Sequence, residues 1–477
     1  MENMDKLIDT AKVALLKTTG TIGMMLIILF IGVTTTKVAM MQDLWQLSVV
    51  LGLTMAAVFL QWANSIAYVP YTIAVWAFYP EIRRLLDWSF GTYSDTPILS
   101  LAPLLVSLTM LIPIMKNYKK LSRTVTRIML IASLVFGYGY LLGVLQFGSF
   151  AATYDLINYL SPLLLIAYVN TCNFKNEVRD YWLKSFTFIT VLVAVYGIYQ
   201  YFLIPPWDQF WMIHSEMTSI GQPEPLKVRV FSTLNSPGPT GAFLAYALSV
   251  MIMNKKWRAF GFVGLILVAF ALMLTLVRSS WIGLVAMLLV YFMQAKSQSK
   301  IKLVAVLAVL VMFYQFVLPS LPGADAITTR VQSFGNLSED NSYNDRLAFT
   351  SSIMVVIMSN PIGNGLGSTG LSAKLNTSAL QTFDNGYLNV FYTFGIPGGL
   401  LFLGLLGYLV VLSLRSTLYY REYSHLAFAT MAAALFLLFG ANTFPGVGGV
   451  NIWFLLSFIF FPLKEEDAGH EHVLRYP

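Results

Sequence analysis

Four arginines and one aspartate are the residues of this sequence best suited to chemistry on a phosphate group. They are Arg229 in VRVFSTLNSPG, Arg278 in LTLVRSSW, Arg330 in ITTRVQSF, Arg346 in SYNDRLAF and Asp384 in TFDNGY. The planar guanidinium of arginine binds phosphate oxygens bidentately and stays charged. Such groups stabilise the charge that grows on a phosphate leaving group. A carboxylate beside them could accept a proton from a hydroxyl group, as a general base does.

Arg278 interrupts an otherwise uncharged apolar run that extends over residues 259–295. As one helix this run would be roughly 55 Å long, whereas the hydrocarbon core of a bilayer is about 30 Å thick. We therefore predict two spans with a sharp turn at VRSSW, and a second helix that opens with Ser279 and Ser280. Its unpaired N–H groups and positive dipole end favour an anion. The alternative is that Arg278 snorkels to lipid phosphates or caps the carbonyls of a neighbouring helix.

The composition identifies the class of protein that must position these residues. Of the 477 residues, 57% are hydrophobic and only 11% are charged, whereas soluble domains are typically about a quarter charged. This predicts a polytopic membrane protein. The single cysteine, Cys172, has no partner for an internal disulfide. The N-terminal segment mixes acids with lysines and lacks a small-residue cleavage site, so no removable signal peptide is expected.

Apolar windows long enough to cross a bilayer can be placed fourteen times along the chain. They lie near residues 21–38, 44–60, 64–80, 97–115, 128–148, 156–172, 183–203, 239–254, 259–277, 279–295, 302–318, 386–412, 426–442 and 448–462. We therefore predict an all-α helical bundle in which residues 1–477 form a single transmembrane domain.

The distribution of basic residues predicts the orientation of the bundle. With both termini cytoplasmic, twenty-one of the thirty Lys and Arg fall inside and nine fall outside, as the positive-inside rule demands. The net charge of +7 is thus better explained by topology than by nucleic acid. Two long connections, 204–238 and 319–385, would be extracytoplasmic. The second is far longer than most loops, and we expect it to carry short amphipathic or re-entrant helices and the function.

Several segments around this loop have predicted roles. Pro239 suits the first turn of an outward-starting helix. The short apolar run 347–358 is too short to span the membrane, and Asn360 and Pro361 end it. The following PIGNGLGSTG lacks the lysine and hydroxyl ending of a phosphate-binding loop, so we predict a flexible hinge.

Asp384 has two interpretations that the sequence leaves open. An aspartate directly before a helix is a common N-cap, which contributes about 1 kcal/mol and needs no catalysis. A carboxylate near several arginines can instead act as a general base. Asn385 and Tyr387 follow it at the mouth of the predicted span, which Gly395 and Pro397 later interrupt.

Four segments, in order, resemble the O-antigen ligase and Wzy-type polysaccharide polymerase superfamily of bacterial envelope glycosyltransferases. They are VRVFSTLNSPGPTGAFLAYAL, LTLVRSSWIGLVAMLLV, DRLAFTSSIMVVIMSNPIGNGLGS and DNGYLNVFYTFGIPGGLLFLGLL, within residues 225–410. The resemblance implies a GT-C-like bundle in the bacterial inner membrane with its active site on the extracytoplasmic face. It also implies transfer of a glycan from undecaprenyl diphosphate without a metal, a cofactor or a nucleotide sugar.

The resemblance further implies roles for individual residues. Arg278 and Arg346 match the family arginines that hold the diphosphate, and Asp384 stands where lipid A core ligases of the superfamily carry a histidine. This departure favours a polymerase, which moves the growing chain onto the next lipid-linked repeat unit. We expect Asp384, Arg278 and Arg346 to be the catalytic residues. The expected substrate-binding residues are Arg229, Arg330, Asn385, Tyr387 and Ser279. Expected partners are the lipid-linked donor and acceptor, membrane lipids and a chain-length regulator.

Two other functions remain open from the sequence. One is a ligase that transfers the glycan to a lipid core or a protein. The other is a transporter of lipid or polysaccharide, although carriers usually place titratable groups near mid-membrane, and the sequence predicts these groups at the outer rim. The acidic SEDNSYND lacks the spacing of a calcium loop, so no metal site is expected.

Overall fold

The computed structural model describes residues 42–172, 174, 177–312, 315–316, 318–320, 324–332, 341–375, 383, 385–416 and 421–461. Within these ranges the regular structure is helical, apart from one isolated bridge between Gly221 and Val228. The predicted all-α class is thus confirmed. The first predicted span, 21–38, and Asp384 lie outside the described residues.

The helices are numbered along the described part of the chain. In chain order they are α1 (Gln42–Trp62), α2 (Tyr68–Phe90), α3 (Ala102–Leu108), α4 (Leu111–Lys116), α5 (Arg123–Phe147), α6 (Ser149–Thr171), α7 (Glu177–Leu203), α8 (Pro206–Ser215), α9 (Pro237–Met253), α10 (Gly261–Leu274), α11 (Arg278–Gln294), α12 (Ser297–Met312), α13 (Ala324–Gln332), α14 (Asn341–Ser359), α15 (Gly370–Ala373), α16 (Gly386–Arg415), α17 (Arg421–Leu437) and α18 (Gly446–Ser457).

Six helical segments in the described ranges are long and apolar enough to cross a membrane. They are Gln42–Trp62, Ile98–Lys116, Arg123–Phe147, Ser149–Thr171, Glu177–Leu203 and Gly386–Arg415. Shorter apolar helices are found at Pro237–Met253, Gly261–Leu274, Arg278–Gln294, Ala348–Ser359 and Gly446–Phe460. The total of fourteen spans therefore stays a prediction.

The long helix α5 has the two apolar faces expected of a helix in lipid. Val125, Ile128 and Val135 are buried against the bundle, whereas Leu134 and Leu145 are largely exposed on the opposite side. A water-facing helix would carry polar residues on its outer face. An apolar outer face is stable when hydrocarbon surrounds it. The exposed leucines therefore mark a lipid-facing surface.

The centre of the bundle is one continuous apolar core. α6 packs against α18, α11 against α17, and α9 against α11. Large side chains such as Trp182, Phe243 and Trp453 are almost completely buried there. This core fixes the ends of α9, α11, α16 and α18 relative to one another.

Titratable groups just beyond the predicted windows are buried in α2 and α6. α2 does not end with the predicted window at residue 80 but continues to Phe90, and it buries Glu81, Arg84 and Asp87. Asp155 is buried in α6. The hydropathy windows ended at the first charged residue, but a helix continues where buried partners satisfy the charges.

The glycine-rich segment after α14 is also different from the prediction, because it is a packed wedge and not a hinge. Gly363, Gly365 and Gly367 have φ values of +93°, +82° and +92°, in the left-handed region. A Cβ on Gly365 would overlap the backbone nitrogen of Gly143 in α5 and lie 2.7 Å from its Cα. Such close backbone contact is possible only for glycine.

This wedge provides hydrogen-bond donors for the backbone of α16, which is a broken helix. α16 loses helical geometry at Gly395, as the sequence predicts. The N–H groups of Asn364 and Gly365 donate to the carbonyls of Tyr392 and Thr393, at 2.9 and 2.8 Å. Carbonyls released by a kink in an apolar bundle need such partners. The wedge therefore holds α16 in its kinked form.

We expect Gly365→Ala to destabilise the protein by about 3 kcal/mol or more, because alanine is strained at this φ and overlaps α5. The measurement is thermal unfolding of the detergent-purified protein. Gly404→Ala is the matched control, since a Cβ there meets no atom within 4 Å, and it should be neutral or stabilising by about 0.5–1 kcal/mol. Equal unfolding temperatures for the two variants would refute the packed wedge.

Candidate functional site

The predicted break at VRSSW is confirmed by the structure. α10 ends at Leu274, and α11 begins at Arg278 with Val277 as its N-cap residue. Leu276 between them has a φ of +55°, which costs free energy for a branched side chain. The backbone therefore leaves the helical path here, and Arg278 occupies the first turn of α11.

Two further predicted arginines meet at this break. Nη2 of Arg229 lies 3.4 Å and Nε of Arg330 lies 3.3 Å from the carbonyl oxygen of Leu276, to which both donate. Arg229 also donates to the carbonyl of Ser219 at 3.0 Å. The structure thus brings Arg229, from the first long connection, and Arg330, from α13, to the residues just before Arg278. Three positive charges gather at the start of one helix.

A second feature of this region is the turn that follows α17. It lies beside Ser279, Asn385 and Tyr387. A Cβ on Gly440 would lie 3.3 Å from Cβ of Ser279. The N–H of Gly386 donates to the carbonyl of Leu438 at 2.7 Å, and the Tyr387 hydroxyl donates to that of Leu435 at 2.7 Å. The turn at residues 438–441 therefore lies between the first turn of α11 and the first turn of α16. This places the predicted polar residues of both helices around one turn.

The N-cap position of α16, which the sequence suggested for Asp384, is occupied by the next residue. Oδ1 of Asn385 accepts a hydrogen bond from the N–H of Leu388 at 3.1 Å, and Asn385 is the N-cap residue of α16. The N-cap interpretation of Asp384 is therefore wrong. Arg346 belongs to the first half of α14, but its side chain and the whole of Asp384 lie outside the described part of the chain.

A buried polar network that the sequence analysis missed lies beside this turn. Nδ2 of Asn442 donates to Oδ1 of Asn389 at 2.7 Å and to the Tyr159 hydroxyl at 2.6 Å. Asn389 donates in turn to Thr369 at 3.0 Å. These bonds connect α6, α16, the glycine wedge and the segment before α18. Asn442 lies 53 positions from Asn389 and 283 positions from Tyr159, so no local sequence signal links these residues and only the tertiary structure reveals the network.

The segment before α9 is held by a buried ion cluster, which the sequence analysis also missed. Arg84 of α2 pairs with Glu81 and with Asp208 of α8, where Nε and Oδ1 are 2.6 Å apart. Its guanidinium also donates to the carbonyl oxygens of Ser232 and Leu234. Arg84 and Asp208 have no solvent exposure. Arg84 is therefore a positioning residue for residues 231–236.

Gln200 of α7 supports the same segment from the other side. Its Oε1 accepts from the N–H groups of Phe231 and Ser232, and its Nε2 donates to Oδ2 of Asp208 at 2.6 Å. Ser232 has a φ of +52°, so these bonds stabilise a strained conformation. The motifs EIRRLLD and WDQF contained the necessary charges, but nothing in their spacing indicated that they meet.

A cavity of about 110 Å³ lies where the segment fixed by Arg84 enters α9. Its lining includes the rings of Trp76, Tyr79 and Tyr154 and the side-chain amides of Asn158 and Asn235. One water needs about 10–15 Å³ on the same measure, so the cavity is large enough for one ring-sized polar ligand. Rings together with amide groups suit a ligand with both apolar and hydroxyl faces.

The first turn of α9 connects this cavity with the start of α11. Pro239 lines the cavity, whereas two residues later a Cβ on Gly241 would lie 2.6 Å from Oγ of Ser280. The cavity and Arg278 are therefore separated by little more than the thickness of one helix. The tertiary structure has assembled the arginines, the turn after α17 and the cavity at the same end of the bundle.

These observations define a membrane-type helical protein with broken helices and an arginine cluster at one end. Residues 263–403 match the model of a family described as O-antigen ligase (Wzy_C). This segment, which includes Arg278 and Arg330 but not Arg229, supports the O-antigen ligase and Wzy superfamily, as the sequence motifs predicted. The family implies a glycosyltransferase type of enzyme with lipid-linked glycan substrates. The comparison with curated proteins gives no match.

We expect Arg84→Ala to destabilise the protein by about 3–5 kcal/mol, because it leaves two buried carboxylates without their cation. Thermal unfolding of the purified protein measures the effect. Arg127→Ala, which removes an exposed arginine of α5, is the matched control and should change stability by less than about 0.5 kcal/mol. An unchanged unfolding temperature for Arg84→Ala would contradict the positioning role.

Proposed function

We propose that this protein polymerises lipid-linked oligosaccharide repeat units on the extracytoplasmic face of the bacterial inner membrane. The observation that carries the proposal is the convergence of Arg229 and Arg330 on the carbonyl of Leu276, next to Arg278. Leu276, Arg278 and Arg330 lie in the segment that matches the O-antigen ligase family. Three guanidinium groups at a helix start suit a diphosphate. The proposed orientation has both termini in the cytoplasm.

The proposed reaction is a displacement at the anomeric carbon of the growing chain. An acceptor sugar hydroxyl attacks this carbon, its oxygen forms the new glycosidic bond, and its proton moves to the carboxylate of Asp384. The bond between the anomeric carbon and the phosphate oxygen breaks, and undecaprenyl diphosphate leaves with the bonding electrons. No oxidant, metal or nucleotide sugar is needed to balance this step.

The arginines are proposed to act on the leaving group. Arg278 and Arg346 hold the diphosphate oxygens, and their interaction strengthens as negative charge develops on the departing phosphate. Arg229 and Arg330 are proposed to add positive potential and to fix the backbone that carries Arg278. Ser279 in the first turn of α11 supplies a further donor, and Asn385 and Tyr387 shape the opposite wall.

The cavity beside α9 is proposed to receive one sugar ring of a substrate. The rings of Trp76 and Tyr79, whose centroids are 6.3 Å apart at an interplanar angle of 86°, offer apolar surfaces. Asn158 and Asn235 offer hydrogen bonds to hydroxyl groups. A ring held there would lie one helix thickness from the arginines, as a glycan attached to the diphosphate requires.

We favour a polymerase over a ligase because Asp384 stands where lipid A core ligases of the superfamily carry a histidine. The decisive experiment gives the purified protein in liposomes a lipid-linked repeat unit and separates the products by size. A ladder of products with release of undecaprenyl diphosphate supports the polymerase. A single transfer that requires a separate acceptor indicates a ligase, and unchanged substrate that crosses the bilayer indicates a transporter.

In this assay we expect Arg278→Lys to lower kcat/KM by about 100-fold or more, because lysine cannot hold a phosphate bidentately. The unfolding temperature should stay unchanged. Arg127→Lys, at the exposed start of α5, controls for loss of a guanidinium elsewhere and should be fully active. Near-normal turnover of Arg278→Lys would remove this arginine from the mechanism.

We expect Asp384→Asn to lower kcat by about 100-fold or more while it leaves binding of the lipid-linked donor unchanged, because it removes a general base. The fall of kcat towards acidic pH in the wild-type profile should disappear in the variant. Asp325→Asn, in the exposed first turn of α13, is the matched control. A variant of Asp384 that retained both rate and pH profile would exclude it as the base.

A further inference from the structure

A second cavity, of about 430 Å³, lies at the opposite end of the bundle from the arginine cluster. It is enclosed by the last residues of α9 and α11 and the first residues of α12 and α17. α11 has 17 residues and is therefore roughly 25 Å long. Since Arg278 begins α11 and this cavity surrounds its end, the two places are about one membrane core apart.

The lining of this cavity is strongly basic. Lys255, Arg258, Lys296 and Lys302 contribute four positive charges, and Glu422 is the one acidic side chain among the described lining residues. Oε2 of Glu422 accepts a hydrogen bond from Asn254 at 3.0 Å. A concave site with this excess of positive charge attracts an anion from the surrounding solution or lipid.

The same cavity has an apolar wall. Ile252 of α9 and Leu303 and Val306 of α12 line it. α12 exposes Ile301 and Val304 on its outer side, and it contacts α9 and α11 over short stretches only. The lysines thus stand at the ends of the helices, and the apolar residues continue along α12. A ligand with a phosphate group and attached hydrocarbon chains matches both parts.

Hydrogen bonds among the helix ends hold the cavity open. The Tyr291 hydroxyl of α11 donates to the carbonyl of Met253 at the end of α9, at 3.1 Å. Nε of Arg258 donates to the carbonyl of Met251 at 3.0 Å, which orients its guanidinium along the end of α9. These bonds fix Arg258 and the ends of α9 and α11, and the exposed side chains of Lys255, Lys296 and Lys302 stand around this fixed frame.

We infer that this cavity binds a phosphate-bearing anion, and that its natural source is the headgroup of an anionic phospholipid in the leaflet opposite the arginine cluster. In the proposed orientation this is the cytoplasmic leaflet, which carries anionic lipids, and basic pockets between helices on that side bind such headgroups. The bound lipid stabilises the contact of α12 with the bundle. The site is separate from the glycosyl-transfer site.

The test is a binding titration of the full-length, detergent-purified protein, followed by native mass spectrometry. The probes are phosphatidylglycerol, phosphatidylcholine and glycerol 3-phosphate. We expect saturable binding of phosphatidylglycerol that salt weakens and little binding of phosphatidylcholine. The double variant Lys296→Gln/Lys302→Gln should lose about 10- to 30-fold in affinity, since each basic residue near such a headgroup contributes measurably.

Lys119→Gln/Lys120→Gln is the matched control, because it removes two exposed lysines from the 3-10 turn before α5, in another basic cluster predicted for the same side. Binding that survives in this control but not in the first variant supports the site. If glycerol 3-phosphate binds as tightly as phosphatidylglycerol, the result supports a phosphate-binding site but overturns the lipid as its source, and the ligand is then a soluble phosphate compound. Equal losses in both double variants, or no binding of phosphatidylglycerol, would overturn the inference.

Discussion

The rest of the structure depends on one constraint, which is that every backbone group freed by a broken helix inside the apolar bundle must find a partner. Two helix breaks and the irregular segment before α9 meet this constraint in related ways. At Gly395 the glycine wedge donates its N–H groups, at Leu276 two guanidinium groups donate to the free carbonyl, and before α9 Arg84 donates to the carbonyls of Ser232 and Leu234. Stabilising the irregular backbone is therefore the role that the charged and glycine-rich segments share.

The same constraint connects stability with the proposed chemistry. A guanidinium group keeps its positive charge when it donates a hydrogen bond, as Arg229 and Arg330 do to the Leu276 carbonyl. An arginine can thus fix the backbone before α11 and still add positive potential beside Arg278. A helix that is broken at this end also presents its N–H groups to an anion. In this way the irregular backbone of the bundle creates the proposed diphosphate site.

The two ends of the bundle carry positive charge for different reasons. At one end the arginines lie at a helix break in a family-matched segment, and they are accompanied by rings and amides that suit a glycan. At the other end the lysines surround a wider cavity with an apolar wall. Flexible lysines suit a headgroup of variable structure, whereas planar arginines suit oriented binding of a diphosphate. Each end therefore matches a different anion of the membrane.

The sequence by itself determined the helical membrane class, the break before Arg278, the interruption of α16 at Gly395 and the family resemblance, because these follow from hydropathy, helix length and local motifs. The tertiary structure alone decided that Arg84 meets Asp208, that Asn442 meets Asn389 and that the glycine segment is a wedge against α5. These contacts join residues far apart in the chain, and their free energy comes from burial and mutual satisfaction of polar groups, which no local pattern of residues encodes.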